Sequence, residues 1–149
     1  MWLIKQALDL VDELYVVVGI NPTKKYTFNE YQRRTMIEEV IYAELGEEAY
    51  DKIDVELHDG LLVHKAADIG ARYIIRGIRN LADFNYEQQI QQVNKRIDPN
   101  VDTVFLIPPP EFMEVSSSTV KSLVGFRGWE DIVSQYVNPI VVKELQAKQ

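Results

Sequence analysis

The chain has 149 residues, 46% of them hydrophobic, no cysteine, and 16 Lys and Arg against 23 Asp and Glu for a net charge of −7. That size suits one domain, residues 1–149, with a real core, while the lack of thiols excludes disulfides and thiolate metal sites. An acidic field repels polyanions, so no nucleic acid is expected as a partner; with no signal peptide and no apolar run near the roughly 18 residues of a membrane helix, a cytoplasmic protein without membrane contact is expected.

Leu3, Ile4, Ala7, Leu8 and Val11 recur at helical spacing, which predicts an opening helix with one buried face. "LYVVVGI" follows as a short β-branched run, the pattern of a strand buried on both faces. "NPTKKYTF" reads as a loop, and Asn29 as the N-cap of a helix over "EYQRRTMIEEVIYAEL". "IDVELH" is the next strand, and "LLVHKAADIG" a helix closed by Gly70. The acids crowded into "EEVIYAELGEEAYDKIDVELHD" read as a solvated surface.

"ARYIIRG" predicts a strand with Arg76 at its carboxyl end, residues 81–96 a helix, and "DTVFLIP" a strand stopped by Pro108. The remainder is helical in short pieces punctuated by Gly125, Gly128 and Pro139. Strands alternating with helices imply a parallel sheet covered on both faces. In such sheets the ligand crevice lies outside the carboxyl ends of the strands. The loops at those ends hold "NPTKK", "HDGLLV", "RGIRN" and "PPPEFMEVSSSTVK", the basic, glycine-bearing and serine-rich pieces of the chain.

Ser116, Ser117 and Ser118 precede the apolar start "TVKSLV". One serine suffices to cap a helix; three, with outward N–H groups, would also make a phosphate cradle. Their place after the last strand favours the anion. Arg76 and Arg79 flank Gly77, where the backbone can approach a ligand closely. Each arginine either meets an anion or pairs with an acid such as Asp83 or Glu87. Lys24 at a strand's end either reaches a phosphate or is simply solvated. His58 and His64 lack a second ligand at metal spacing, so no metal site is assigned.

"NPTKK", "DGLLV", "IIRGIRNLADFNYEQQIQQVNKR" and "TVFLIPPPEFMEVSSSTVK", in that order, resemble the bacterial-type phosphopantetheine adenylyltransferases of the H-x-G-H nucleotidyltransferase superfamily. The resemblance covers essentially the whole chain, and the "RGIR…DFNYE" and "SSSTVK" blocks are specific as a pair. It implies adenylyl transfer from ATP to 4′-phosphopantetheine, giving dephospho-coenzyme A and pyrophosphate, with Mg²⁺ accompanying ATP. It also implies a homo-oligomer, typically a hexamer, and inhibition by coenzyme A. Carried over by matching position, Lys24, Leu62 and Arg76 contact 4′-phosphopantetheine, and Lys24 and Arg79 are the catalytic cations. Gly77, Ile78 and Arg79 border ATP, with Glu87 on its ribose or adenine side. Phe112, Met113, Glu114 and Val115 hold the adenine through backbone, and Ser116, Ser117 and Ser118 the phosphates. Asp83 and Asn94 would support these residues without touching substrate.

The resemblance places the family's first strand, glycine-rich turn and H-x-G-H signature ahead of Met1, and neither "GTFDP" nor an H-x-G-H occurs in these 149 residues. His58 and His64 lie in other loops and do not replace it. The expected fold is therefore α/β: a Rossmann-like doubly wound parallel sheet missing its first strand, with "YVVVGI" and "YIIRG" each short of a ladder. The residues as they stand are expected to turn over negligibly and to be less stable than a chain extended by a strand ending in H-x-G-H. Two other functions fit the sequence: a nucleotide- or coenzyme A-binding module without catalysis, and a nucleotidyltransferase acting on nicotinamide mononucleotide. "DGLLV" together with "RGIR" argues against the latter.

Overall fold

A computed structural model describes residues Met1–Gln149. Helix α1 (Trp2–Leu8) leads into β1 (Leu14–Gly19), then α2 (Glu30–Leu45), a single turn α3 (Glu47–Tyr50) and β2 (Ile53–His58). Helix α4 (Leu62–Asp68), β3 (Tyr73–Gly77), α5 (Leu81–Ile97) and β4 (Asp102–Leu106) repeat the alternation. A 3₁₀ turn (Pro110–Phe112) precedes α6 (Ser117–Leu123), α7 (Trp129–Val133) and α8 (Pro139–Gln146).

Local chemistry sets the ends of these elements. Asn29 accepts the Gln32 N–H at 2.9 Å, while the Asn29 N–H donates to Gln32 Oε1 at 3.2 Å, a complete capping box at the start of α2. Helix α4 stops at Gly70, whose φ of +70° is a left-handed conformation that glycine adopts without strain. There the Gly70 N–H donates to Ala67 O and the Ala71 N–H to Ala66 O, the paired bonds that close a helix end. Met1 precedes α1 without a side-chain cap.

All strand pairing is parallel, but the sheet is divided. β1 pairs with β2 in the register Val16↔Val55 and Gly19↔His58, and β3 pairs with β4 in the register Ile75↔Val104 and Gly77↔Leu106. No ladder joins β1 to β3. The Leu14 and Ile20 N–H groups donate to Lys52 O and His58 O of the β2 segment. Alternate residues of a strand point their backbone groups to opposite sides, so Tyr15, Val17 and Gly19 present theirs away from β2. By the same rule Ile78 donates to Leu106 O, and Tyr73, Ile75 and Gly77 present theirs away from β4. The two open edges are those that the sequence pattern leaves short of a ladder.

Three apolar clusters hold the layers. Val18, Ile41, Ile53 and Val55 join β1 and β2 to α2, with Ile4 and Leu8 of α1 packed on them. Val63, Ala66, Ile74 and Val101 fix α4 against β3. Phe28, Met36, Val120, Trp129, Val133, Val142 and Leu145 dock the three C-terminal helices onto α2. Leu3 of α1 reaches Gly77, where an added Cβ would lie 3.7 Å from a leucine methyl. Helix α1 thus bridges the two strand pairs.

The capping box makes a simple test. Asn29→Ala should lower stability by about 1 kcal/mol, read as a shift in the urea midpoint at unchanged slope; an unaltered midpoint would show that α2 does not need its cap.

Candidate active site

The four strands release their loops at residues 20–29, 59–61, 78–80 and 107–116. Arg79 ties two of these loops together. Its Nη1 donates to the carbonyl of Val115 at 2.9 Å, 36 residues along the chain. Its Nε and Nη2 donate to the Asp83 carboxylate at 2.9 and 3.4 Å, and its backbone N–H to the same group at 3.2 Å. Asn80 caps α5 by accepting the Asp83 N–H at 2.9 Å, which puts Asp83 in the first turn, where the helix dipole favours an anion. The side-chain hydrogen bond from Arg79 is the main reason that the Asp83 carboxyl is held below its ordinary value. Burial opposes the shift, while the Arg79 backbone N–H and the Arg79 charge add to it.

Arg76 stands one residue before the end of β3 and donates Nε to Glu87 Oε2 at 2.9 Å and Nη2 to Glu87 Oε1. Glu87 is the one buried residue of α5 and the one buried charged side chain of the molecule. Both arginines are therefore ion-paired, the alternative that the sequence left open. Arg76 keeps Nη1 free of any hydrogen bond, and its side chain is 42% exposed. Glu87 spends both oxygens on Arg76.

Only one of the three serines is taken up by the helix end. Ser116 Oγ accepts the Thr119 N–H at 3.1 Å as the cap of α6, and it lies 2.9 Å from Ser118 Oγ and 2.8 Å from Thr119 Oγ1. Ser117 and Ser118 are exposed. In the first loop Asn21 Oδ1 accepts the Thr23 N–H at 3.0 Å and its hydroxyl at 2.8 Å, a local turn that leads to Lys24. The Lys24 ammonium lies 5.5 Å from the centre of the Tyr26 ring.

Between β1 and β3 opens a cavity of about 1110 Å³ walled by Val17, Val18 and Gly19 of β1, by Gly77 and Arg79, and by Phe112 and Val115. Residues of α1, α2 and 134–138 complete it. Lys24, Leu62, Arg76, Glu87, Met113, Glu114 and Ser116–Ser118 lie outside this lining, and Ile78 is buried beside it. A smaller groove of about 690 Å³ along β2, between Arg34 and Leu57, contains none of the candidate residues. The structure thus gathers Gly77, Arg79, Phe112 and Val115 around one cavity and leaves Lys24 on the loop after β1 and Leu62 at the start of α4.

Residues 1–123 match the family model described as cytidylyltransferase-like. The phosphopantetheine adenylyltransferase of Chromobacterium violaceum is 39% identical over 146 residues, covering 97% of this chain and 85% of that protein. Its counterpart in Neisseria meningitidis serogroup C is 36% identical over 149 residues, covering 99% and 84%. The chain belongs to the phosphopantetheine adenylyltransferases. It is accordingly a nucleotidyltransferase of coenzyme A biosynthesis, on a Rossmann-like α/β fold. The phosphopantetheine adenylyltransferase of Caldanaerobacter subterraneus subsp. tengcongensis, at 36% identity over 98% of this chain and 86% of its own, extends the likeness to a third genus. Within this adenylyltransferase two residues that no motif pointed to bear on Lys24: Tyr26, whose ring lies beside it, and Arg33, which lies against that ring; their signal is tertiary and invisible to spacing.

Two outcomes test the arginine pairs. Arg76→Leu strands a buried carboxylate and should cost about 1–3 kcal/mol, more than Arg76→Leu with Glu87→Leu; equal losses in urea melts would contradict the pairing. Because the Asp83 value is depressed on folding, its contribution to stability is complete above its ordinary 3.8 and is lost as pH falls below that through the lowered value. Asp83→Asn should therefore flatten the acid limb of the stability profile in that window and leave its neutral-to-basic shape unchanged.

Proposed function

We propose that adenylyl transfer takes place above the carboxyl ends of β1 and β3, where an oxygen of the 4′-phosphopantetheine phosphate attacks the α-phosphorus of ATP in line. The new bond joins that oxygen to the α-phosphorus, and the bond from the α-phosphorus to the bridging oxygen of pyrophosphate breaks. Dephospho-coenzyme A and pyrophosphate result. The observation that supports this best is the Arg79 strap, which brings the "RGIR" and serine loops to one wall of the cavity.

In this reading Lys24 and the free Nη1 of Arg76 hold the acceptor phosphate, with Leu62 shaping the acceptor loop. Glu87 acts through Arg76 by fixing the plane of its guanidinium. Gly77 leaves room at the strand end, Ile78 packs beneath, and Arg79 meets the ATP phosphates. Backbone of Phe112, Met113, Glu114 and Val115 frames the adenine, and Ser117 and Ser118 supply hydroxyls to phosphate while Ser116 keeps α6 capped. None of these groups is a nucleophile. Catalysis is then alignment of two phosphates plus stabilisation of charge in the transition state. No group of three His, Cys, Asp or Glu side chains lies together in the structure. Magnesium would enter with the ATP phosphates, and no step here depends on it.

Tyr86, Ile90, Val93 and Ile97 make an exposed apolar stripe along α5. Such a patch supports a homo-oligomer, a hexamer by family likeness. Coenzyme A shares the pantetheine arm of the product and is expected to compete in the same crevice. No helix is long and apolar enough to cross a membrane.

Calorimetry separates the two halves of the site. Arg79→Ala and Ser117→Ala should weaken ATP binding, and Lys24→Ala and Arg76→Ala should weaken 4′-phosphopantetheine binding, each by about 1.5–3 kcal/mol for a charge-assisted contact. Unchanged affinities across all four would overturn the assignment, and pyrophosphate release from ATP with 4′-phosphopantetheine measures the reaction itself. Ile90→Lys should shift the mass found by light scattering toward the monomer; an unaltered mass would put the oligomer contact elsewhere.

A further inference from the structure

Gly19 ends β1 with its carbonyl on the side that β2 does not use. Arg33, in the second turn of α2, donates Nη1 and Nη2 to that carbonyl at 3.2 and 3.3 Å. The same guanidinium lies 4.0 Å from the centre of the Tyr26 ring. That ring in turn carries the Lys24 ammonium at 5.5 Å, within the range of a cation–π contact. One arginine therefore clamps both ends of a short arc of chain: the strand end at Gly19 and the aromatic against which Lys24 rests. The arc between them turns on Asn21, whose side chain and carbonyl take the Thr23 and Lys24 N–H groups.

A purely structural arginine is normally satisfied at every nitrogen. Arg33 is not: its Nε is buried and has no hydrogen-bond partner. The guanidinium plane is held by Gly19 and Tyr26, both in front of the helix. The capping box at Asn29 and Gln32 fixes the turn from which Arg33 projects, so the direction of the clamp is set by α2.

We propose that Arg33 is a positioning residue for the acceptor side of the site, setting the reach of Lys24 through Tyr26 and Gly19 without touching substrate. The role for Lys24 rests on the placement of the acceptor phosphate under Proposed function; the clamp itself does not. Lysine cannot replace Arg33, because an ammonium offers neither the two-pronged grip on one carbonyl nor the flat face for the ring. Arg33 also borders the cavity that Arg79 walls, but both of its grips are on the loop after β1, at Gly19 and Tyr26, so its effect falls on the acceptor side.

The test has a ligand-free arm and a binding arm. In carbon–proton NMR spectra of the full chain, the Lys24 side-chain methylenes should be displaced by the Tyr26 ring current, and Arg33→Met, Arg33→Lys and Tyr26→Leu should each return them toward ordinary lysine values. In calorimetry with 4′-phosphopantetheine and, separately, with ATP, those variants should raise the 4′-phosphopantetheine dissociation constant about tenfold, the scale of a lost brace, and leave that for ATP unchanged. Arg33→Met combined with Lys24→Ala should bind no worse than Lys24→Ala alone. Lys24 signals that stay in place in the Arg33 variants, equal weakening of both ligands, or additive losses with Lys24→Ala would overturn the clamp. If Lys24→Ala itself leaves 4′-phosphopantetheine affinity intact while the NMR displacement depends on Arg33, the acceptor placement fails and the clamp stands as a device of the loop.

Discussion

Parallel pairing is the constraint on which the rest of this molecule depends. Each parallel partner requires a crossover, here supplied by α2 with α3 between β1 and β2, and by α5 between β3 and β4. Within each pair the strands point the same way, so Gly19 and His58 finish side by side, as do Gly77 and Leu106. Chemistry is thereby gathered at strand ends and loops that share an edge, with Arg76 in the last residues of β3 itself. The division between β1 and β3 leaves two rows of backbone groups unladdered, and α1, by leaning Leu3 on Gly77 and Ile4 on the β1–β2 core, spans that division.

Much of this was legible in the chain. Asn29 reads as the N-cap ahead of its helix and is one in the structure, which adds Gln32 as the reciprocal partner of a capping box. Gly70 marks the end of α4 because only a left-handed turn closes that helix, and the runs "IDVELH" and "YIIRG" are strands with nearly the expected bounds. Pairing across distance was less legible. Arg76 meets Glu87 and Arg79 meets Asp83, the acids that the sequence offered as partners, but which arginine takes which acid follows from the fold and has no period. Helix α5 reads as an ordinary element of a covered sheet, yet it buries only Glu87 and leaves its apolar stripe outside. Arg33 reads in the sequence as one more charge on a solvated helix face; only the tertiary approach of Gly19 and Tyr26 separates it from Arg34, which simply pairs with Glu38 one turn away at 2.8 Å.

The candidate site is basic by composition but not by free charge. Arg76 and Arg79 already hold carboxylates, so an incoming phosphate meets guanidiniums that are oriented and partly neutralised. Orientation helps, since a pre-aimed fork loses less freedom on binding than a loose one. Competition also follows: at Arg79 three of the five side-chain N–H groups already go to Asp83 and the Val115 carbonyl, so a phosphate drawn there shares the fork with those acceptors or displaces one of them. Loosening of the Val115 contact would free the loop that the nucleotide is to fill. Selectivity against long polyanions then comes from geometry as well as from the net charge of −7.

The two tryptophans occupy opposite kinds of place. Trp129 is buried among the C-terminal helices, whereas Trp2 is half-buried on the wall of the cavity between β1 and β3. Trp129 is shielded from water and absent from the crevice lining, so its emission should be blue-shifted and unchanged when the crevice fills. Trp2 borders the crevice itself, and the helix that carries it rests on both halves of the sheet. The protein therefore contains an intrinsic optical gauge, with one channel fixed as reference and the other sensitive to the polarity of the crevice between β1 and β3.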